Sequence, residues 1–260
     1  MLFSARTQLL AQDDYPNILK KIIDWGFDGV EISVLDQDFK LRSDFFSGPV
    51  IKVMKRLLKQ LEAASISCHL DYVNQKENIE VIRKTFAVAQ KLDIDTIIIN
   101  GAASQAETEQ EAYDEWQLMI EKTQILCELA QKAEIKLAKE FEPGFITDST
   151  AKLIKVFNQV DPLPLYANLD LGHVYLNDPQ PLTSITKLQD RIIHGHIENM
   201  KQGVHDHLMP SEGDMDLASY LNELKKINFK GPLALDLYKY DYEEAAPAAL
   251  EQLRQLENSI

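Results

Sequence analysis

The segments Thr96-Ile-Ile-Ile-Asn100 and Leu233-Ala-Leu-Asp-Leu237 decide the fold that this sequence predicts. Each segment is almost continuously apolar for several residues and carries a polar side chain at or near its end. Such runs are typical of parallel β-strands, because both faces of the strand are covered and neither meets water. Similar short apolar runs alternate with helical patterns along the whole 260-residue chain.

Eight strands are predicted in all. They are Leu2–Ala5, Gly29–Ser33, Ile66–Leu70, Thr96–Asn100, Ile135–Phe141, Leu165–Asp170, Ile192–Ile197 and Leu233–Tyr238. Between them apolar residues keep the 3.6-residue helical period, as at Val50, Val53 and Leu57. Eight βα units without a linker predict an α/β protein with one (β/α)8 TIM-barrel domain over residues 1–260. An open doubly wound sheet is the alternative, but the sequence has no glycine-rich strand-to-helix turn of the dinucleotide or P-loop type.

Composition excludes several classes of protein. The 27 basic and 41 acidic residues give a net charge of −14, which disfavours nucleic acid as a partner. Cys68 and Cys127 each lie in an apolar stretch and are predicted to be buried thiols in a reducing compartment. No secretion signal and no apolar run of about 18 residues is found, so we expect a cytoplasmic protein without a membrane span. Whether the chain forms a homo-oligomer stays open.

Polar side chains concentrate at the carboxyl ends of the predicted strands, where the catalytic groups of a TIM barrel lie. These residues are Glu31, His69, Asp71, Asn100, Glu140, Glu142, Asp170, His173, His196, Glu198 and Asp236. All six histidines, including His194, His205 and His207, fall at or near such ends. The sequence therefore places its chemistry on one face of the barrel.

The alternation of side chains along a strand sharpens this prediction. Glu140, Asp170, His196 and Asp236 share the interior side of the last four strands, so their side chains are expected to converge. Carboxylates and an imidazole around one point repel each other unless a cation lies between them. The pattern predicts one divalent ion, for which Mn²⁺, Mg²⁺, Co²⁺ or Zn²⁺ would suit a mixed oxygen and nitrogen shell.

The sequence allows two interpretations of Glu31 and of His69, and it places Lys139 in an unusual position. Glu31 is either a hydrogen-bonding residue at the barrel rim or a substrate ligand, and His69 is either a satisfied buried histidine or part of the site. Lys139 has the parity of a helix-facing residue, where an apolar side chain is normal. We expect Lys139 to reach solvent along its stem or to pair with an acid.

Several motifs resemble the xylose-isomerase-like TIM-barrel superfamily, which contains sugar isomerases and epimerases, inosose-processing enzymes and endonuclease IV. The matching segments are Gly-Phe-Asp-Gly-Val-Glu31, Leu-Ala-Lys-Glu140-Phe-Glu-Pro-Gly, Asn-Leu-Asp170-Leu-Gly-His173, His-Gly-His196-Ile-Glu-Asn, His205-Asp-His207-Leu-Met-Pro-Ser-Glu-Gly-Asp-Met-Asp and Leu-Ala-Leu-Asp236-Leu. The resemblance covers essentially the whole chain. It is specific for the superfamily but not for one reaction.

The resemblance implies a metal-dependent isomerase or epimerase that acts on a small sugar or a keto-sugar derived from a polyol. A proton next to a carbonyl would be removed through a metal-stabilised enediolate, with Glu140 and Asp236 as the catalytic carboxylates on opposite faces of the substrate. The ion would be held by Glu140, Asp170, His196 and Asp236. The residues expected to bind substrate are Glu31, His69, Glu142, His173, His205 and His207.

Three other functions stay open at this point. An endonuclease IV-like zinc phosphodiesterase would use several of the same positions, although Asn100 stands where its strand-four histidine is expected and the net charge opposes DNA. A dehydratase needs only one base, which fits the shorter Asp236 standing where glutamate is usual. A barrel that binds a ligand without catalysis is the third alternative. Metal content separates this last class from the enzymes.

Overall fold

Eight parallel strands close into a barrel in this computed structural model, which describes residues 1–10, 14–34 and 48–260. The barrel strands are β1 (Leu2–Arg6), β2 (Gly29–Ser33), β3 (Ala63–Cys68), β4 (Thr96–Ile99), β5 (Lys136–Lys139), β6 (Leu165–Asp170), β7 (Ile192–Ile197) and β10 (Pro232–Leu235). Each pairs with its neighbours along the chain, and β10 closes the barrel against β1. The predicted (β/α)8 TIM barrel is therefore confirmed, and the open doubly wound sheet is excluded.

Helices connect consecutive strands and cover the outside of the barrel. They are α1 (Tyr15–Asp24), α2 (Gly48–Leu58), α3 (Glu77–Leu92), α4 (Glu109–Lys132), α5 (Thr150–Val160), α6 (Leu171–Asn177), α7 (Pro181–Leu188), α8 (Leu217–Lys226) and α9 (Tyr242–Asn258). Local sequence fixes where several begin. Thr108 and Glu111 form a capping box at the start of α4, and the Ser149 hydroxyl caps α5, so free amide groups of the first turn are satisfied. No helix in the described ranges is long and apolar enough to cross a membrane.

The core has two layers. Apolar side chains fill the space between strands and helices, as with Ile97, Leu137 and Leu169, which are fully or almost fully buried. The barrel interior is instead partly polar, with Ser65 and Asn168 buried among the strands. This polar interior leads upward to the carboxyl ends of the strands, and it supplies hydrogen-bonding partners for charged groups there.

Strand ends show where the sequence predictions need correction. Strands β2, β6 and β7 have the predicted bounds, whereas β3 begins at Ala63 rather than Ile66 and β5 ends at Lys139 rather than Phe141. A hairpin of β8 (Asn199–Lys201) and β9 (Val204–Leu208) follows β7 and was not predicted. Its residues are too few and too polar to show the alternation by which strands are recognised.

Lys139 also differs from its predicted environment. Its ammonium group is fully buried in the layer beside α4, where it donates to the Tyr72 hydroxyl at 3.0 Å and to the carbonyl oxygen of Asn100. The Tyr72 ring lies 5.4 Å from the ammonium nitrogen. The expectation that Lys139 reaches solvent or pairs with an acid is wrong, because a hydroxyl, a carbonyl and an aromatic face satisfy it instead.

Candidate active site

Three side chains with metal-ligand chemistry meet at the carboxyl end of the barrel. Glu140, Asp170 and His196, which we call the metal-ligand cluster, each offer one ligand atom, and these atoms all lie within 4.8 Å of one another. The Nδ1 atom of His196 is 3.4 Å from Glu140 Oε1 and 3.6 Å from Asp170 Oδ2. All three residues are buried. The structure thus brings together three of the four predicted ligands.

Strand register explains this convergence. Asp170 on β6 and His196 on β7 are direct partners in the barrel, and Glu140 follows the last residue of β5. Gly195 permits the close packing of β7, since a Cβ atom there would lie 2.7 Å from the carbonyl oxygen of Leu169. Asp170 also caps α6 by accepting a hydrogen bond from the His173 amide at 2.8 Å through Oδ1. Its other oxygen, Oδ2, is left facing the cluster.

Glu31 lies beneath the cluster and orients His196. Its Oε2 accepts a hydrogen bond from His196 Nε2 at 2.8 Å, and both side chains are fully buried. A carboxylate that binds one nitrogen of an imidazole fixes the ring and leaves the second nitrogen for a metal ion. His196 therefore presents Nδ1 to Glu140 and Asp170.

The charges of the cluster favour a cation at its centre. Burial opposes ionisation of Glu140 and Asp170, but nearby histidines outweigh it and hold the pKa of both carboxyl groups below their usual values. Burial likewise opposes protonation of His196, yet Glu31 and Glu140 raise its pKa well above the usual value. The donor set of two carboxylates and one imidazole fits a divalent ion. Asp170 Oδ2 accepts no hydrogen bond from the described residues, and its contacts to His196 Nδ1 at 3.6 Å and His173 Nε2 at 3.7 Å are longer than hydrogen bonds.

Asp236, the fourth predicted ligand, lies in a neighbouring group rather than in the metal-ligand cluster. Its carboxylate is grouped with the Glu198 carboxyl group and the His207 imidazole, and Oδ2 is 3.5 Å from His207 Nδ1. Its other oxygen forms an ion pair with Arg6. Burial, together with the carboxylates of Asp170 and Asp236, raises the pKa of Glu198 well above its usual value. These surroundings therefore favour the protonated form of Glu198.

Three histidines form a second group at the mouth of the barrel. This histidine trio consists of His173 at the start of α6 and His205 and His207 on β9. Nε2 of His205 lies 3.1 Å from His173 Nε2 and 3.2 Å from His207 Nε2. Burial lowers the pKa of His205 and His207, and the charge of His173 adds to this effect. Three of the residues that were predicted to bind substrate therefore lie next to one another.

His69 and Glu142 lie on the opposite side of the mouth. His69 Nε2 is 3.1 Å from Glu140 Oε2, and Glu142 Oε2 accepts a hydrogen bond from the Asn100 amide at 3.3 Å. Both residues are partly exposed, unlike Glu31. Burial and the negative charge of Glu140 raise the pKa of Glu142 above its usual value. These two side chains are placed where an incoming molecule meets them.

Three residues of this site were not among the metal and substrate ligands predicted from the sequence. Arg6 ends β1, Asn168 lies within β6, and Glu198 follows His196 by two residues. The Asn168 amide donates to Glu140 Oε2 at 2.9 Å. Glu198 has the same parity as His196, and Arg6 lies at the end of the first strand. Either feature could have indicated from the sequence that the residue belongs to the site. Asn168 has the parity of Asp170, which was the corresponding signal for it.

A family comparison agrees with the fold. Residues 19–257 match the model of the xylose isomerase-like TIM barrel, and the chain belongs to this family. One relative is an inosose dehydratase of Clostridium tetani, 21% identical over 216 residues that cover 71% of this chain and 72% of the relative. Another is a 3-dehydroshikimate dehydratase of Bacillus anthracis, 24% identical over 207 residues, or 79% of this chain and 72% of the relative.

Solved structures extend the comparison at the level of the fold. A D-tagatose 3-epimerase-like protein superposes with a TM-score of 0.80 at 19% identity, covering 100% of this chain and 99% of its own. The IolI protein with a bound zinc atom superposes with a TM-score of 0.80 at 16% identity, covering 99% of this chain and 96% of its own. An epimerase-like protein and a zinc-bound protein therefore share the fold of this chain, whose buried Glu, Asp and His groups have the ligand types of a divalent-metal site.

Proposed function

We propose that this protein is a metal-dependent enzyme that removes a proton from the carbon next to the carbonyl group of a small polyhydroxylated ketone, and that it ends the reaction by dehydration. The observation that carries the proposal is the metal-ligand cluster, in which three ligand atoms face one another and Asp170 Oδ2 accepts no hydrogen bond from the described residues. Its position at the carboxyl end of a TIM barrel is that of an active site.

Glu140, Asp170 and His196 would hold the ion. When bound, a divalent cation polarises a carbonyl and its neighbouring hydroxyl, and so makes the adjacent C–H bond more acidic. Glu31 keeps His196 in the orientation that exposes Nδ1. The protein itself therefore fixes the orientation of these side chains before a ligand binds.

Glu140 is the best candidate for the base. Its pKa is held below the usual value mainly by His196 and His69 against the effect of burial, so its carboxylate stays ionised at neutral pH. The Asn168 amide and His69 both contact Oε2, at 2.9 and 3.1 Å, and restrict the rotation of the carboxylate. A base of fixed orientation that accepts a proton from carbon contributes about 10²–10⁴-fold to the rate.

Dehydration is favoured over epimerisation by the environment of Asp236. Epimerisation needs a second acid or base on the other face of the substrate, whereas dehydration needs a single base and a leaving hydroxyl group. One oxygen of Asp236 is occupied by Arg6, which restricts its use as that second group. In dehydration the proton passes from carbon to Glu140 and the C–O bond on the adjacent carbon breaks. The proton for the leaving oxygen comes from protonated His173, because burial opposes its protonation but Asp170 and Glu140 raise its pKa above the usual value. The two curated relatives named above are both dehydratases.

Epimerisation is the second candidate, and one observation favours it. Two carboxylate–histidine pairs flank the mouth, Glu140 with His69 on one side and Asp236 with His207 on the other. Pairs placed in this way could exchange protons with opposite faces of one substrate carbon. The likeness to epimerase structures supports the fold alone at these identities.

A solvent-deuterium experiment tests the proposal. The metal-loaded protein is incubated in D₂O with a panel of cyclic and open-chain polyhydroxylated ketones, and the products are followed by NMR. The proposal predicts loss of water with formation of a conjugated ketone, and no reaction in protein treated with chelator. A product in which deuterium replaces one carbon-bound hydrogen, with inverted configuration at that carbon, would establish epimerisation instead. Turnover that persists at the same rate after complete metal removal would refute the metal-dependent mechanism.

A further inference from the structure

Arg6 lies inside the barrel mouth between two carboxylates, neither of which belongs to the metal-ligand cluster. Its Nε is 2.9 Å from Glu31 Oε1, and its Nη1 forms an ion pair with Asp236 Oδ1. The same Nη1 donates to the Tyr238 hydroxyl at 3.2 Å. The Arg6 side chain is fully buried. Because a buried guanidinium is stable only when it is paired, these contacts hold Arg6 and its two carboxylates together.

The position of Asp236 follows from this arrangement. One of its oxygens contacts the guanidinium, and the other faces His207 Nδ1 at 3.5 Å. Asp236 belongs to the group of Glu198 and His207, not to the group of Glu140, Asp170 and His196. Both of its oxygens are thus directed to side chains other than those of the metal-ligand cluster.

We infer that Arg6 sets the number of protein ligands in the metal centre, because it binds Asp236 and so restricts the ion to Glu140, Asp170 and His196. This inference rests on the proposed metal-dependent function. Arg6 carries a permanent charge and offers several donors in a fixed geometry, so it competes with a cation for a carboxylate. Metal centres with three protein ligands keep positions that a substrate can fill. Arg6 is a positioning residue, since its side chain has no exposed surface through which to contact substrate.

The affinity for Mn²⁺ tests the inference without any substrate. Arg6→Met keeps an apolar stem but removes the charge and the donors, and it frees Asp236 to join the ion. We expect Arg6→Met to bind Mn²⁺ more tightly by about tenfold or more, the scale on which residues around a metal site alter its affinity. The gain should vanish in Arg6→Met/Asp236→Asn. In the wild-type background, Asp236→Asn should leave the affinity for Mn²⁺ close to its original value.

Arg254→Met provides a matched control. Arg254 also pairs with a carboxylate, Asp28, at 2.5 Å, and its guanidinium lies 4.9 Å from the Phe3 ring centre. None of these residues belongs to the site. Arg254→Met also removes a partly buried ion pair, but it does so away from Asp236. We therefore expect this variant to bind Mn²⁺ with unchanged affinity.

The outcomes separate this inference from the proposed function. Wild-type protein that binds no divalent ion overturns both. Wild-type protein that binds Mn²⁺ while Asp236→Asn weakens binding by about tenfold or more, as expected for loss of a ligand, overturns the inference alone. Equal or weaker Mn²⁺ binding by folded Arg6→Met also overturns it. The Asp236→Asn result decides the question even if Arg6→Met does not fold.

Discussion

Replacing Glu31 by glutamine should destabilise the protein strongly and weaken its metal site. Glu31 is fully buried and contacts two cationic groups, Arg6 Nε at 2.9 Å and His196 Nε2 at 2.8 Å. Glutamine keeps the shape and one acceptor oxygen but removes the negative charge. Arg6 would retain only Asp236 as a charged partner, and His196 would lose the carboxylate that orients it.

The size of the effect follows from the burial of these groups. Breaking a buried ion pair by removing one partner costs about 3–5 kcal/mol. The remaining oxygen of glutamine and the Asp236 contact place Glu31→Gln near the lower end, at about 3 kcal/mol. For a chain of this length, each kcal/mol lowers the melting temperature by about 2–4 °C, which gives a decrease of roughly 6–12 °C. The affinity for Mn²⁺ should fall by about 10–100-fold, because His196 is no longer fixed.

Thermal unfolding in the presence of chelator measures the first effect, and Mn²⁺ titration measures the second. Glu80→Gln is the control, since Glu80 forms an exposed pair with Arg83 within α3, and such pairs contribute at most about 1 kcal/mol. If Glu31→Gln melted within about 2 °C of the wild type, less than the shift that 1 kcal/mol produces, the buried ion pair would not have the importance assigned to it.

The difference between wild type and Glu31→Gln should depend on pH in a defined direction. Burial favours a higher pKa for Glu31, but Arg6 and His196 outweigh it and hold this pKa well below its usual value. The contribution of Glu31 to stability is therefore present above the unfolded pKa of about 4.3 and is lost as pH falls through the folded value. The pKa of His196 is raised, so its contribution is complete below the unfolded pKa of about 6.5 and is lost as pH rises through the folded value. The difference in unfolding free energy should therefore be largest between about pH 4.3 and 6.5. A difference that grew steadily above pH 7 would contradict this.

Three further predictions concern the base, the histidine trio and the buried lysine. Glu140→Gln should lose proton exchange at the substrate carbon by about 10²–10⁴-fold even with metal bound, as deuterium incorporation would show; exchange at the parent rate would mean that Glu140 is not the base. His205→Ala and His207→Ala should leave one ion per chain by elemental analysis and impair turnover, whereas a wild-type content of two or three ions would favour a phosphodiesterase. Lys139→Met should reduce the unfolding free energy by roughly 1–3 kcal/mol, because Asn100 and Tyr72 lose a buried donor, and unchanged stability would refute that role.

The barrel and the residues at its carboxyl end could be predicted from sequence because both depend on local patterns. Continuous apolar strands alternate with helical periods, and parity along β5, β6 and β7 places Glu140, Asp170 and His196 on one side. Neighbouring strands in a closed barrel then bring them together without further information. This is why three of the four predicted ligands meet.

The rest of the site depends on contacts between residues that are far apart in the chain. Whether Asp236 faces the cluster is decided by Arg6, which lies 230 positions earlier, and nothing local to either residue reveals that pair. Lys139 is another example, since its partners Tyr72 and Asn100 come from the segments that follow β3 and β4. Pairing of buried charges is a property of the assembled barrel and has no periodic signature.

Metal content after substitution of Asp170 tests the central claim most directly. Asp170 supplies Oδ2 to the metal-ligand cluster, where this oxygen accepts no hydrogen bond from the described residues, and it also caps α6. Asp216 caps α8 in the same way but lies outside the site. After loading with Mn²⁺ and removal of excess metal, elemental analysis should find one ion per chain in the wild type and in Asp216→Ala, and almost none in Asp170→Ala. A metal-free wild type, or an ion retained by folded Asp170→Ala, would contradict the assignment of Glu140, Asp170 and His196 as the metal centre.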